Sequence, residues 1–250
     1  MQHLLKQHEI QYLSEHFRFS PKAMIKQKGS VHAADLLDLD KCRSYLDDVS
    51  DIIQSPCRIV SASQFSKKYS YLIIVPGLYT LTVFNKGLNL SIENVHVVSL
   101  SADQKWLPSP HLLKQHVMHT EGKIREQWRN EVFKTIFSQN LSRMWNLLSH
   151  VVNISPAVLW ENTAIYVYWL YEKRMEQESN PQVRLRIKED FNYLLYEAPS
   201  TLFGEPENPL KKYFVKKSNN QDIRTRKTCC YYYRLTSHKE YCSTCPRART

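Results

Sequence analysis

Glycine is scarce in this 250-residue chain, which has only Gly29, Gly77, Gly87, Gly122 and Gly204, against an average usage of about 7%. No G-x-G-x-x-G and no G-x-x-x-x-G-K-[ST] can be written from glycines so far apart. Both motifs need glycine where the backbone must approach a phosphate, so a dinucleotide fingerprint and a P-loop are excluded. If the protein does redox chemistry, its electrons are therefore expected from a separate donor protein and not from NAD(P)H. Long apolar runs are also lacking: the longest, residues 71–84, is too short to cross a bilayer and is interrupted by Pro76-Gly77. Residues 1–8 contain no apolar h-region, from which a reducing, cytoplasmic setting is expected. No acidic residue completes an H-E-x-x-H pattern around His111, His116 and His119. His116 and His119 are expected on one helical face, in a structural or solvated role. No Ser-His-Asp or Cys-His hydrolase arrangement can be assembled.

Hydrophobic residues at 42% and aromatics at 12% place the chain among folded proteins, and its length suffices for a full core. The formal charge is +10, unevenly spread: residues 205–250 hold eleven Lys/Arg against four Asp/Glu, a net of +7. A basic run is commonly a solvated tail or a nonspecific nucleic-acid patch. Here it surrounds a cysteine cluster, and nearby cations favour an anionic metal centre as well as anionic ligands.

Four of the six cysteines fall within the last twenty-two residues, as the adjacent pair Cys229-Cys230 and the hook Cys242-Ser243-Thr244-Cys245. In a reducing compartment such a set holds metal more often than it forms disulfides. A structural zinc site takes two hooks with intervening residues, and only the second pair qualifies. Adjacent cysteines in extended chain point to opposite sides, so a bent backbone must bring them to one centre. A [2Fe–2S] rhomb is larger and accommodates such a pair, although the spacing matches neither common ferredoxin run. His238, between the pairs, is expected at the surface or in a hydrogen bond. Cys42 and Cys57 stand apart and read as small buried hydrophobes.

Thr228-Cys229-Cys230-Tyr231-Tyr232-Tyr233-Arg234-Leu235 followed by Tyr241-Cys242-Ser243-Thr244-Cys245-Pro246 resembles the C-terminal signature of the FhuF-like ferric-siderophore reductases, C-C-x10-C-x2-C. This chain has one more residue between the pairs. A looser similarity is Ser155-Pro156-Ala157-Val158-Leu159-Trp160-Glu161-Asn162, like the Trp-x-Asn helix start of the same family, although helix-start packing explains Trp160 and Asn162 equally well. The resemblance implies a [2Fe–2S] cluster held by Cys229, Cys230, Cys242 and Cys245. It also implies one-electron reduction of the Fe(III) of a ferric siderophore in the cytoplasm, with a ferredoxin, a flavodoxin or a similar protein as donor. Peripheral association with a siderophore importer is compatible with it; a nucleic acid is not an expected partner. Lys227 and Arg234, beside the first pair, are the expected docking surface for the anionic chelate. Tyr231, Tyr232 and Tyr233 are expected to form an apolar lid limiting water at the cluster. The rival reading is a zinc-stabilised, non-enzymatic module binding nucleic acid or protein through its basic end.

The expected fold is mainly α with a small β-hairpin element (α+β), its helical C-terminal half ending in the cysteine-rich loop. Residues 34–53 predict a short helix or a pair. Residues 64–84 suit a strand by composition, with part of the stretch expected as helix. Residues 88–107 alternate like a hairpin, closed by Pro108-Ser109-Pro110 as a lobe boundary. Helices are predicted from residue 124 with a break near Asn140, from Ser155-Pro156 to about Gln177, and over 183–195 up to Ala198-Pro199. The resulting division is an N-terminal lobe 1–110, a helical core 111–203, and a basic connector with the cysteine motif 204–250, the last forming one compact unit with the core.

Overall fold

A computed structural model describes residues 4–19, 30–102, 105–120, 122, 124–214, 224–236 and 240–249. Helices dominate, and several begin where short-range signals place them. α2 (Leu39–Ile53) follows a short 3-10 turn, Ala33–Leu37, and is capped by the Asp38 carboxylate, which accepts from the backbone N–H of Asp40 and Lys41. Ser155, Asn180 and Asn208 cap α6 (Pro156–Trp169), α7 (Pro181–Asn192) and α8 (Pro209–Tyr213), each with proline at the first helical position. Of the two forms expected over 34–53, a short helix or a pair, the pair is present.

The centre of the molecule is α3 (Arg58–Thr82), a single 25-residue helix buried on nearly every side. A helix covered all round carries no amphipathic stripe, which is why residues 64–84 were ambiguous by pattern. The whole stretch to Thr82 is helical, not part of it, and Pro76 sits inside without ending it. Gly77 has a packing reason: a Cβ there would lie 2.5 Å from Leu90 Cδ1 and 3.0 Å from Ile136 Cδ1. Its absence lets both side chains press against the helix backbone.

The β elements differ from the expected hairpin over 88–107. β3 (Val95–Ala102) and β4 (Lys105–Leu112) form an antiparallel pair, with β1 (Val31–His32) on the other side of β3. Leu88 belongs to β2 (Gly87–Leu88), which pairs with β5 (Val117–Met118). Pro108 and Pro110 lie inside β4, opposite Ser99 and Val97, and do not close the unit. β4 is an edge strand, where a residue without an N–H is tolerated because the outward side needs no ladder bond. His116 and His119 flank β5 and share no helical face, while His111 is a buried residue of β4.

α4 (Arg125–Ile136) runs through a π-helical turn, Phe137–Ser142, into α5 (Arg143–Val152). The backbone thus widens, without breaking, at Asn140. There the Asn140 amide donates to the Leu90 carbonyl (2.6 Å) and accepts from the Tyr69 hydroxyl (2.8 Å). Similar π turns extend α6 and α7.

Asp190 of α7 is fully buried and binds Arg125 of α4 through two bonds (2.7 and 2.8 Å), Arg129 (3.1 Å) and the Thr82 hydroxyl (2.9 Å). Arg129 also lies 3.6 Å over the Tyr193 ring. Asp190→Ala leaves two guanidinium groups facing an apolar core and should destabilise the protein by about 3–5 kcal/mol. Denaturant unfolding of the variant measures this, and a loss below about 1 kcal/mol would show the network to be dispensable.

Candidate metal centre

The C-terminal segment lies across α3 and α6, and polar side chains on these two buried helices hold it. Glu161 of α6 accepts from the backbone N–H of Lys227 (2.6 Å) and Thr228 (2.7 Å), and from the Thr228 hydroxyl. Its carboxylate is 3.6 Å from Nε of Arg226, and the two side chains are only 3% and 2% exposed. Next along α6, the Asn162 amide donates to the Ser63 carbonyl (3.1 Å) and the Ser66 hydroxyl (2.7 Å), locking α6 to α3. From α3, Ser63 Oγ and Gln64 Nε2 donate to the Cys230 carbonyl at 2.8 and 2.7 Å.

The adjacent cysteines are bent as their chemistry demands. Tyr231 has φ 58°, a left-handed conformation rarely adopted by tyrosine, which turns the chain directly after the pair. Its N–H then points to Cys229 Sγ at 3.4 Å. The second pair closes as a tight turn, Cys245 N–H to Cys242 C=O at 2.9 Å, and Arg226 N–H to Thr244 C=O (3.0 Å) brings that turn beside the first pair. As a result Cys230 Sγ and Cys242 Sγ are 3.5 Å apart. Two thiolates about 2.3 Å from one tetrahedral ion sit roughly this far apart. Cys230 and Cys245 are buried, Cys229 and Cys242 half-buried, and all four are free. Among the described residues no three His, Cys, Asp or Glu side chains converge as a one-ion cage. The preformed unit is the Cys230–Cys242 pair, with the other two thiols alongside in the same short segment.

Charge around the pair suits thiolate ligands. Cys242 is pushed down to about 6, chiefly by its hydrogen bond with Cys230 and also by Thr244 Oγ1 and Lys67. Cys230 is pushed up by that same contact and by burial. Lys67 of α3 holds its ammonium 4.0 Å from Cys230 Sγ and 5.5 Å from the Tyr232 ring. An all-thiol donor set with a backbone N–H aimed at sulfur and a cation beside it fits a two-iron cluster, which takes four cysteine ligands.

The other expected residues divide. Lys227 is exposed, but its ammonium donates to the Lys212 carbonyl at 2.7 Å. Arg234 is exposed at the end of the short turn Tyr232–Arg234. Tyr231 packs on the core, and Tyr233 lies against Arg247 (5.4 Å) and Tyr241 (5.5 Å). Cys42 is buried in α2 as expected, its thiol pushed up to about 11 by burial, whereas Cys57, expected buried, is only half-buried because it lies at the solvent-reaching start of α3. His238 lies outside the described residues. Sequence reasoning passed over Glu161, although it stands between Trp160 and Asn162. Ser63, Gln64, Ser66 and Lys67 left one readable trace, a polar patch in an otherwise apolar helix.

Two family models match. One, described as ferric iron reductase FhuF-like transporter, covers residues 63–222, and the other, described as FhuF 2Fe-2S C-terminal domain, covers residues 226–247. No curated protein matches the chain. The first match begins at Ser63 and takes in Gln64, Lys67, Glu161 and Asn162, while the second contains Arg226 and all four clustered cysteines. The cofactor is accordingly a [2Fe–2S] cluster. The longer match spans well over half of the sequence, and the chain belongs to the FhuF-like ferric iron reductase family.

Proposed function

We propose that this protein reduces the iron of a ferric siderophore, with Cys229, Cys230, Cys242 and Cys245 holding the cluster. The observation that carries the reading is the partly buried Cys230–Cys242 pair, inside the segment that matches the 2Fe-2S domain, with Lys67 of α3 beside it. When bound there, the cluster supplies a single electron, enough to convert Fe(III) of the substrate to Fe(II). Hard oxygen donors hold the more highly charged ion far better, so the one-electron product leaves its chelator, and no general acid or base is required.

The chain's own residues do the rest. Ser63, Gln64 and Glu161 fix the segment on two rigid helices, so the sulfurs keep one geometry through the reaction. Burial of Cys230 and Cys245 excludes water on the inner side, while half-exposed Cys229 and Cys242 face the side from which a partner can approach. Lys227, Arg234 and the other cations of the basic segment draw in an anionic chelate over long range. The electron comes from a separate donor protein, in keeping with the missing nucleotide motifs.

Stopped-flow mixing of anaerobically reduced protein with ferric chelates and a ferrous trap tests this. Fe(II) should appear as the cluster reoxidises, and the bimolecular rate with a negatively charged chelate should fall as salt rises, since screening shortens to about 8 Å at physiological ionic strength. Arg234→Glu and Lys227→Glu should slow that chelate more than a neutral one. Absence of reoxidation by either chelate would discard the assignment.

A further inference from the structure

One edge of the cysteine segment is aromatic and cationic. Of the three successive tyrosines, Tyr231 packs on the core, whereas Tyr233 pairs with Tyr241, their ring centroids 5.5 Å apart. Tyr241 is 47% exposed and directly precedes Cys242. The Arg247 guanidinium lies 5.4 Å over the Tyr233 ring and donates to its hydroxyl at 3.1 Å. This ties the ring pair to the chain just beyond the Cys242–Cys245 hook. Arg234, Ser243 and Arg247 are exposed. Among the described residues from 224 onward Glu240 is the one acid. The carboxylates of Glu161 and Glu172, which reach this segment from α6 and its π turn, face Arg226 and Arg224 and leave Arg234 and Arg247 to set the sign of the edge.

Access to the thiols is one-sided among the described residues. Cys230 and Cys245 are buried, and only Cys229 and Cys242 come to the surface. The floor beneath is continuous. Tyr71 of α3 packs edge-on against Tyr166 of α6 at 5.5 Å, and its hydroxyl donates to the His16 carbonyl of α1 (Gln7–Phe17) at 3.4 Å. A carrier with one open side meets its electron donor and its electron acceptor at that side. Tyrosine and arginine are the residue types enriched where proteins dock. Electron-transfer encounters bury little area and are steered by charge. Two rings flanked by Arg234 and Arg247 have that composition, and their positive sign specifies an acidic partner.

We propose that an acidic one-electron donor protein docks on the edge formed by Tyr233, Tyr241, Arg234 and Arg247, and that this donor and the ferric chelate use the open side in turn. The proposal rests on the reductase reading above. One electron passes from the donor to the oxidised cluster. After the donor has left, one electron passes from the cluster to Fe(III), which becomes Fe(II). No atom is transferred in either half. Tyr241, next in the chain to Cys242, is the docking contact nearest to a ligand.

Flavodoxin hydroquinone, an acidic donor whose one-electron oxidation to the semiquinone has its own absorbance, tests the docking in stopped flow with oxidised, cluster-loaded protein. The bimolecular rate should fall as salt rises. Combined Tyr241→Ser and Arg247→Gln should slow it about tenfold or more. Reduced methyl viologen, a small cation with no protein surface to dock, should reduce variant and wild type within about twofold of each other. Arg234→Gln, which removes a charge from an exposed position, should slow flavodoxin by about threefold and serves where the double variant loads poorly. Wild-type flavodoxin rates in both variants, or an equal slowing with methyl viologen, overturn the docking edge. Turnover at constant ionic strength with a negatively charged ferric chelate and a ferrous trap tests the sharing. Double-reciprocal plots against flavodoxin should be parallel at low chelate, and high chelate should raise the KM for flavodoxin without lowering kcat. Intersecting lines, or a KM indifferent to high chelate, mean that both partners are bound at once and overturn the alternation. No Fe(II) from protein reduced beforehand and freed of reductant would overturn the reductase reading instead, with the docking result still standing.

Discussion

Cys230→Ser protein is expected to purify colourless, its iron and sulfide falling from about two of each per chain toward zero. Three features make this position the most sensitive. The side chain is 1% exposed, its sulfur is 3.5 Å from that of Cys242, and its carbonyl is pinned by Ser63 and Gln64. A serine hydroxyl does not ionise near neutral pH as a ligand must. Serine at Cys229, Cys242 or Cys245 should act in the same direction. Because ligand binding and ordering of the segment are coupled, the same variants should unfold at lower temperature than loaded wild type. Cys42→Ala and Cys57→Ser serve as controls with unchanged spectra. The latter places a hydroxyl at the N-cap of α3, where cysteine makes no side-chain cap bond. Elemental analysis with a visible spectrum decides the matter, and a full iron complement in Cys230→Ser would remove this residue from the ligand set.

Glu161→Gln should be nearly as severe without touching a ligand. The carboxylate accepts three hydrogen bonds from the segment and faces Arg226 in a site where both side chains are almost wholly buried. A neutral amide presents its NH2 to donors on one side and leaves the guanidinium uncompensated. Removing one partner of a buried pair costs about 3–5 kcal/mol. Residues 226–228 are held to α6 through these contacts, so the loss should appear first as undocking. Iron content should fall and the segment should become open to limited proteolysis, while the helical core keeps its circular dichroism. Glu161→Asp keeps the charge on a shorter arm and should recover part of the loading. Wild-type iron content and protease resistance in Glu161→Gln would show that other contacts hold the segment.

Much of this was legible in the residues themselves. The resemblance carried by Cys229, Cys230, Cys242 and Cys245 pointed to the cofactor, and Ser155-Pro156 marked the start of α6, because ligand hooks and helix caps act over a few residues. The errors have equally specific causes. Residues 64–84 were expected as helix only in part because a helix buried on every side loses its stripe, and the covering elements come from elsewhere in the chain. Pro108 and Pro110 read as a terminator because their tolerance depends on β4 being an edge strand, a property of the sheet and not of the strand. His116 and His119 were spaced for a helix, but the pairing of β5 with β2 takes that stretch into extended chain.

By itself, then, the sequence determined the start of α6, the thiol-rich ending, its basic surroundings and the lack of a nucleotide motif. Only the tertiary structure decided what holds the cysteines in place: the Lys227 N–H meets Glu161 across 66 positions, and Ser63 meets the Cys230 carbonyl across 167. A glutamate or a serine within an apolar helix has no local signature of such a partner, since the bond exists only once α3 and α6 have packed. The same holds for Lys67, an ordinary helix cation until the fold sets it 4.0 Å from Cys230 Sγ.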